Sequence, residues 1–156
     1  MTTAVAATNA RRKGRFRNAE LRAVEKAIRR IVRAHDLRSR ALVKASGLTA
    51  GQLAVMKGIA ELGEVTSSAL SVYADISSAT TVIVLDNLEE RGLIQRYRSA
   101  SDRRIVHARL TEKGAAALKL APEPMGHTFV GRFSALGEDE RQSLAAAIVR
   151  LADLMA

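Results

Sequence analysis

Arginine is concentrated in one short stretch of the chain, and the guanidinium group is well suited to binding phosphate. From Arg91 to Arg109 the sequence has six arginines and a single acid, Asp102. Residues 1–40 form a second basic segment, with 12 lysines and arginines against 3 acids, an excess equal to the net charge of the whole chain, +9. Two separated basic segments indicate a polyanionic partner. Residues 1–17 also fit a solvated tail. A membrane surface is the weaker alternative, because Phe16 is nearly the only bulky apolar side chain in this segment.

The composition excludes several kinds of chemistry. Without cysteine there is no disulfide, thiolate nucleophile or cysteine redox switch. No Ser/His/Asp arrangement, phosphate loop, paired-carboxylate motif or histidine cluster is present, so we expect no enzyme activity, metal or cofactor. The longest apolar run, Leu144–Val149, is too short to span a membrane, and the N-terminus does not resemble a secretory signal. We therefore expect a cytoplasmic protein that does not bind membranes.

The periodicity of apolar residues predicts a mainly helical chain with one β-hairpin. A disordered basic arm over residues 1–17 precedes a helix over residues 19–45. Its stripe at spacings of three and four comprises Leu21, Val24, Ile28, Ile31, His35, Arg38 and Leu42. Two further helices over residues 125–135 and 138–155 end the chain.

Between these terminal helices, four Ser or Thr residues are placed to cap helices: Thr49, Thr66, Ser77 and Thr111. Gly47, Gly63 and Gly92 lie where helices should end. Three of these helices have predicted inward residues. They are Leu53, Met56, Ile59 and Ala60 after Thr49; Leu70 and Tyr73 after Thr66; and Thr81, Val84, Leu85 and Leu88 after Ser77.

After Gly92 the pattern changes to a period of two, which predicts strands over residues 93–98 and 105–110 joined by a polar tip. Two short helices followed by such a hairpin form a winged helix-turn-helix. Ile76 should fill the space between the helices, and the second helix should present its N-terminal residues to the major groove. The predicted DNA-contacting residues are Ser77, Ser78, Ala79, Thr80, Val82, Ile83 and Asn87 on this helix, and Arg96, Arg98, Asp102, Arg103 and Arg104 on the wing.

Two segments resemble the MarR family of bacterial transcription regulators. Residues 76–94 are similar to the family's recognition helix, and residues 98–114 to its wing, with the family's Asp-x-Arg signature at Asp102 and Arg104. The resemblance extends over roughly residues 20–155. It implies a winged helix-turn-helix over residues 49–121, flanked by dimerisation helices over residues 18–48 and 122–156.

The resemblance also implies a homodimer on a pseudo-palindromic operator in double-stranded DNA, acting as a repressor that a small aromatic or anionic molecule releases. The apolar stripes of the terminal helices agree with a dimer, although they could instead pack on each other within one chain. Carried over from the family, Arg104 enters the minor groove and Asp102 orients it by an ion pair; Asp102 also fits a plain turn residue.

The chain departs from the family on its recognition helix. Val82 and Ile83 stand where relatives often have polar or basic residues, and Asn87 where they often have arginine. We expect few hydrogen bonds to bases, with apolar contacts and DNA shape contributing more. Alternatively, Val82 and Ile83 pack on the first helix of the motif.

Effector binding has the weakest signal in the sequence. His35 and Arg38 interrupt an apolar stripe, so they could bind a carboxylate, with Met56 lining the same cavity. They equally fit a satisfied histidine, an ion pair at the dimer interface and a core methionine. A protein without an effector would be an architectural or constitutive DNA-binding protein.

Overall fold

The computed structural model describes the side chains of residues 19–156. The helices and strands in chain order are α1 Thr2–Ser46, α2 Ala50–Leu62, β1 Val65–Thr66, α3 Ser67–Ala74, α4 Ser78–Glu90, β2 Ile94–Arg98, β3 Val106–Leu110, α5 Glu112–Leu120, α6 His127–Ser134 and α7 Glu138–Asp153. The fold class is therefore as predicted, mainly helical with a small antiparallel sheet. The sequence predicts a disordered basic arm over residues 1–17 and a helix from residue 19, whereas α1 begins at Thr2. The side chains of residues 1–17 lie outside those that the structure describes.

The chain divides into two compact units, residues 1–38 and 39–156. The predicted domain bounds, 18–48, 49–121 and 122–156, stay a prediction. Among the described residues, no single helix is long and apolar enough to cross a membrane. The bent pair α3 and α4 reaches the necessary length and apolar composition only when the two helices are taken together.

Side-chain caps begin the four central helices, as the sequence predicts. Thr49, Thr66, Ser77 and Thr111 each have extended backbone and accept a hydrogen bond from the backbone N–H three residues on. Gln52 completes a capping box at Thr49, because its side chain accepts the backbone N–H of Thr49 at 2.9 Å. These bonds satisfy amides that would otherwise lack partners, so each helix has a fixed start.

The core of the second unit surrounds α2. Leu53, Val55, Met56 and Ile59 are buried there against Leu70 of α3, Leu85 and Leu88 of α4, and Ile94 of β2. Two predictions about this core are wrong. Ala60 is exposed, because the last turn of α2 extends beyond the core, and Tyr73 is partly exposed. The Tyr73 ring lies over Gly58, and its hydroxyl donates to Glu61 at 2.7 Å.

The sheet has the order β1-β3-β2, and both pairings are antiparallel. Its hairpin is the predicted one, with Ile94 opposite Leu110 and Arg98 opposite Val106. Strand β1 was not predicted, since its two residues are too few to show a period. It pairs Val65 with Ala108 and thereby joins the start of α3 to the hairpin.

Helices α6 and α7 have no buried residue. Both were predicted, and each is slightly shorter than the sequence pattern indicated. Their exposed large apolar side chains are Phe129, Val130, Leu144, Ile148 and Val149. Within the described chain these side chains remain accessible to solvent.

The end of the hairpin is bonded tightly to the start of α5. The Thr111 hydroxyl donates to the Gly92 carbonyl at 2.7 Å and accepts the Gly114 N–H at 3.0 Å. Gly114 is buried so close to the preceding chain that a Cβ on it would collide with the backbone carbonyl of Leu93. Only glycine fits this contact without moving backbone.

We therefore expect Gly114→Ala to lower the free energy of unfolding by about 3 kcal/mol, because the clash is with backbone and cannot be relieved by a rotamer change. Gly51→Ala is the control, since a Cβ there meets nothing within 4 Å. It should be neutral or stabilise by about 0.5–1 kcal/mol. Urea denaturation followed by circular dichroism measures both, and equal stabilities would contradict the assignment.

Candidate nucleic-acid interface

Helices α3 and α4 form a helix-turn-helix. The pair is bent by 107° across a short turn, within the range of such motifs. Asp75 makes the turn with a left-handed backbone, φ 51°, and Ile76 packs partly buried against the core, as predicted. The Ser77 hydroxyl then caps α4 by accepting the Thr80 N–H at 3.1 Å. The first residues of α4 are exposed at this turn.

One side of α4 is packed and the other faces solvent. Thr81, Leu85 and Leu88 are buried. Val82 and Ile83 are 46% and 68% exposed, so of the two arrangements that the sequence left open, the structure has the exposed one. An apolar surface therefore follows directly after the N-terminal turn of α4.

The polar groups of α4 are engaged within the protein. The Thr80 and Ser77 hydroxyls lie 2.8 Å apart and share a hydrogen bond. The Oδ1 atom of Asn87, a residue predicted to contact DNA, accepts a hydrogen bond from Gln52 at 2.7 Å and so ties α4 to the start of α2. This contact joins residues 35 apart in the chain, so no local pattern could have revealed it.

Arg96 links the wing to α4. Its guanidinium lies 2.7 Å from Asp86 and 2.6 Å from Glu89, and its backbone N–H also donates to Glu89 at 2.9 Å. The backbone and side-chain hydrogen bonds from Arg96 lower the pKa of Glu89, and the bond to Glu89 raises the pKa of Arg96. The contact of Arg96 with DNA stays a prediction, and in this structure its guanidinium is paired with two carboxylates of α4.

The wing tip presents two exposed arginines. Arg98 supports the tip by donating to the Arg103 carbonyl at 2.8 Å. The predicted ion pair between Asp102 and Arg104 is not formed. Asp102 instead accepts the backbone N–H of Arg104 at 2.9 Å, as a turn residue does. Within the part of the chain that the structure describes, the guanidinium groups of Arg103 and Arg104 are exposed and make no ion pair, which leaves both charges available.

A second cluster on the hairpin was missed by sequence reasoning. The Arg109 guanidinium lies 5.4 Å from the centre of the Tyr97 ring and donates to Gln95, with a shortest distance of 2.7 Å. His107 lies beside Tyr97, with ring centres 5.6 Å apart. Cross-strand register could have suggested the pair, because Tyr97 lies directly opposite His107. Arg109 is thus a structural cation of the sheet.

The three candidate ligand residues have different environments. His35 is exposed and Arg38 is half-buried in the first unit, whereas Met56 is fully buried in the core of the second. An open hollow of about 600 Å³ is lined by Ser39, Arg40, Val43, Lys44, Thr49, Ala50 and Gly51, and so by none of the three. Among the described residues, no group of three His, Asp or Glu side chains could hold a metal.

A helix-turn-helix followed by an arginine-tipped hairpin is the architecture of winged-helix DNA-binding regulators. Residues 48–106 match the model of the MarR family. The transcriptional regulator HosA of Escherichia coli O157:H7 is 36% identical over 107 residues, which cover 66% of this chain and 76% of that protein. The chain belongs to the MarR family of transcriptional regulators.

Solved structures share the fold. The transcriptional repressor CouR, bound to a 23-mer DNA duplex, is 29% identical with a TM-score of 0.65, covering 81% of this chain and 89% of that one. The regulator PcaV from Streptomyces coelicolor, in complex with its natural ligand, is 23% identical with a TM-score of 0.68, covering 83% and 92%. The likeness to PcaV concerns the fold alone.

The link between Arg96 and Glu89 predicts a pH-dependent stability. Because the pKa of Glu89 is lowered in the folded state, its contribution is complete above its unfolded pKa and is lost as pH falls through the folded value. Glu89→Gln should therefore cost about 1 kcal/mol at pH 7, and this difference from wild type should shrink below about pH 4. Chemical denaturation at both pH values measures it.

Glu90→Gln is the matched control, since Glu90 is the exposed neighbour and makes no ion pair with the described residues. An equal loss in both variants at pH 7 would contradict a specific link between α4 and the wing.

Proposed function

We propose that the protein is a homodimeric, sequence-specific DNA-binding repressor. The observation that carries this proposal is the pairing, on one folded domain, of an exposed N-terminal half of α4 with an arginine-tipped wing fixed to the same helix. In this arrangement α4 enters the major groove and the wing reaches the adjacent minor groove. Two such domains in a dimer would occupy a pseudo-palindromic operator.

Helix α4 supplies the major-groove contacts in this proposal. Its exposed residues Ser77 to Thr80 and its backbone amides at the first turn favour a phosphate, while Val82 and Ile83 face the bases. Asn87 and Arg96 keep their internal partners and act as positioning residues. Direct contacts therefore concentrate in the first two turns.

The wing supplies the charge. The exposed Arg103 and Arg104 side chains are free to enter a narrow minor groove, whose negative potential attracts guanidinium groups. Arg98 and Asp102 hold the tip through their bonds to the backbone. The basic residues 1–17 add sequence-independent attraction to the DNA backbone.

Dimerisation is supported by the apolar surface of the terminal helices. Leu144 and Ile148 lie on one stripe of α7, and both are exposed in the single chain. Leu21 and Ile31 on α1 are exposed as well. Apolar surface on this scale is typical of an interface, and a second copy with the same surface would cover it.

We also propose that a small aromatic or anionic molecule releases the protein from DNA. PcaV, which shares the fold, was solved with its natural ligand, and Arg38 offers a half-buried cation for a carboxylate. His35 on the same helix remains a second candidate. Met56, the third predicted residue, is enclosed in the core and packs as a core methionine.

The wing assignment predicts the behaviour of Arg104→Ala. The variant should bind a selected operator at least about tenfold more weakly at physiological salt, and its salt slope should fall by about one for each phosphate that the arginine no longer neutralises. Lys119→Ala, which removes an exposed cation from α5, is the control and should match wild type. Fluorescence anisotropy at two salt concentrations measures both effects, and unchanged binding by Arg104→Ala would refute the wing role.

The dimer assignment predicts that Ile148→Asp dissociates the protein. A carboxylate buried in an apolar interface lacks a partner and costs several kcal/mol, so the variant should sediment as a monomer at micromolar concentration. Ala146→Asp places the same charge on a different side of α7 and should leave a dimer. A wild-type protein that sediments as a monomer at tens of micromolar would contradict the proposal.

A further inference from the structure

Helix α4 has few side chains left to form hydrogen bonds with base edges. The Thr81 hydroxyl is buried and donates to the Ser77 carbonyl at 3.0 Å. The Thr80 hydroxyl shares a hydrogen bond with Ser77, and the Asn87 carbonyl oxygen is occupied by Gln52. Apart from the Ser78 hydroxyl and the amide nitrogen of Asn87, the uncharged polar side chains of α4 are thus bonded within the protein.

The groove-facing surface that remains is apolar. Between Thr80 and Asp86, the two side chains that are exposed are Val82 and Ile83. Ala79 precedes them on the same side of the helix. Asp86 follows one turn later, and its carboxylate is held by Arg96 at 2.7 Å. The second turn of α4 therefore offers methyl groups and no hydrogen-bond donor.

Base pairs differ in how well they match such a surface. In the major groove, thymine carries a C5-methyl group, the one apolar group among the four base edges. Cytosine and guanine edges set against Val82 and Ile83 would lose water without gaining a hydrogen bond, which is costly. A thymine methyl loses no hydrogen bond there and buries apolar surface on both sides.

We propose that Val82 and Ile83 read thymine methyl groups, so that each half-site is selected by the presence of a C5-methyl at the steps facing the second turn of α4. The inference rests on the proposed sequence-specific DNA binding and names the chemical group that this binding recognises. It makes an unusual prediction: the methyl, more than the hydrogen-bonding pattern of its base pair, determines affinity.

The test uses the full-length protein and a site recovered from random DNA by selection. Each thymine of the half-site is replaced in turn by deoxyuridine, which removes only the methyl group. At the steps facing Ile83 and Val82, binding should weaken about fourfold per methyl, the factor that corresponds to burial of one such group. A cytosine at the same step should bind poorly, and 5-methylcytosine should restore much of the affinity.

Ile83→Ala assigns the effect to the side chain. Because Ile83 is largely exposed, the variant should keep the wild-type melting temperature. At the step facing Ile83 it should bind thymine and deoxyuridine alike, while the step facing Val82 keeps its preference for thymine. Leu120→Ala is the matched control, since Leu120 is 83% exposed on α5 and should leave the discrimination unchanged.

The outcomes separate this inference from the proposed function. Selective binding that is insensitive to deoxyuridine, or undiminished discrimination by Ile83→Ala at every step, would overturn methyl reading and leave sequence-specific binding intact. Selection that recovers no preferred site would overturn both. Weaker binding to deoxyuridine than to thymine, together with tighter binding to 5-methylcytosine than to cytosine, would establish methyl reading.

Discussion

The ion pairs of Arg96 with Asp86 and Glu89 join the wing to α4, and the proposed DNA-binding surface depends on this link. One guanidinium contacts two carboxylates on α4, while the backbone of the same residue holds Glu89 as well. Arg96 and Glu89 are each about one third exposed, so each contact is worth only about 1 kcal/mol. Their combined effect is geometric, because β2 begins only a few residues after α4 ends and the link sets the angle between wing and helix. The wing and α4 are therefore joined by side-chain contacts as well as by the short connecting segment.

This link also changes the electrostatics of α4. The helix contains Asp86, Glu89 and Glu90 but no lysine or arginine, so on its own it would be repelled by the phosphate backbone. Arg96 forms ion pairs with two of these carboxylates and offsets one of their two charges, whereas Arg103 and Arg104 carry unpaired positive charge at the wing tip. In the proposed function the two elements have different roles: the wing contributes electrostatic attraction, and α4 contributes an apolar surface that selects by shape and methyl contacts. In the proposed function, affinity therefore depends mainly on the wing arginines, and selectivity depends on the exposed apolar residues of α4.

The sequence predicted what depends on local chemistry and failed where partners are distant. Thr49, Thr66, Ser77 and Thr111 were identified as caps because capping requires only a residue type three positions before an amide. The hairpin followed from its period of two. Strand β1 was missed because two residues carry no period, and Ala60 was misplaced because helical periodicity continues past the edge of the core. The internal partners of Asn87 and Arg96 come from other elements, so only the tertiary structure identifies them, and their contacts with DNA stay predictions.

The most direct test of this account is a hydroxyl-radical footprint of the wild-type protein on its selected operator. A homodimer docked through α4 and the wing should protect two symmetric sets of backbone positions, with half-site centres about one helical turn apart, as expected for dimeric helix-turn-helix proteins. Protected minor-groove segments on the outer side of each half-site would mark the two wings. A single asymmetric protected segment, or uniform weak protection along the duplex, would contradict the joined action of α4 and the wing in a symmetric dimer.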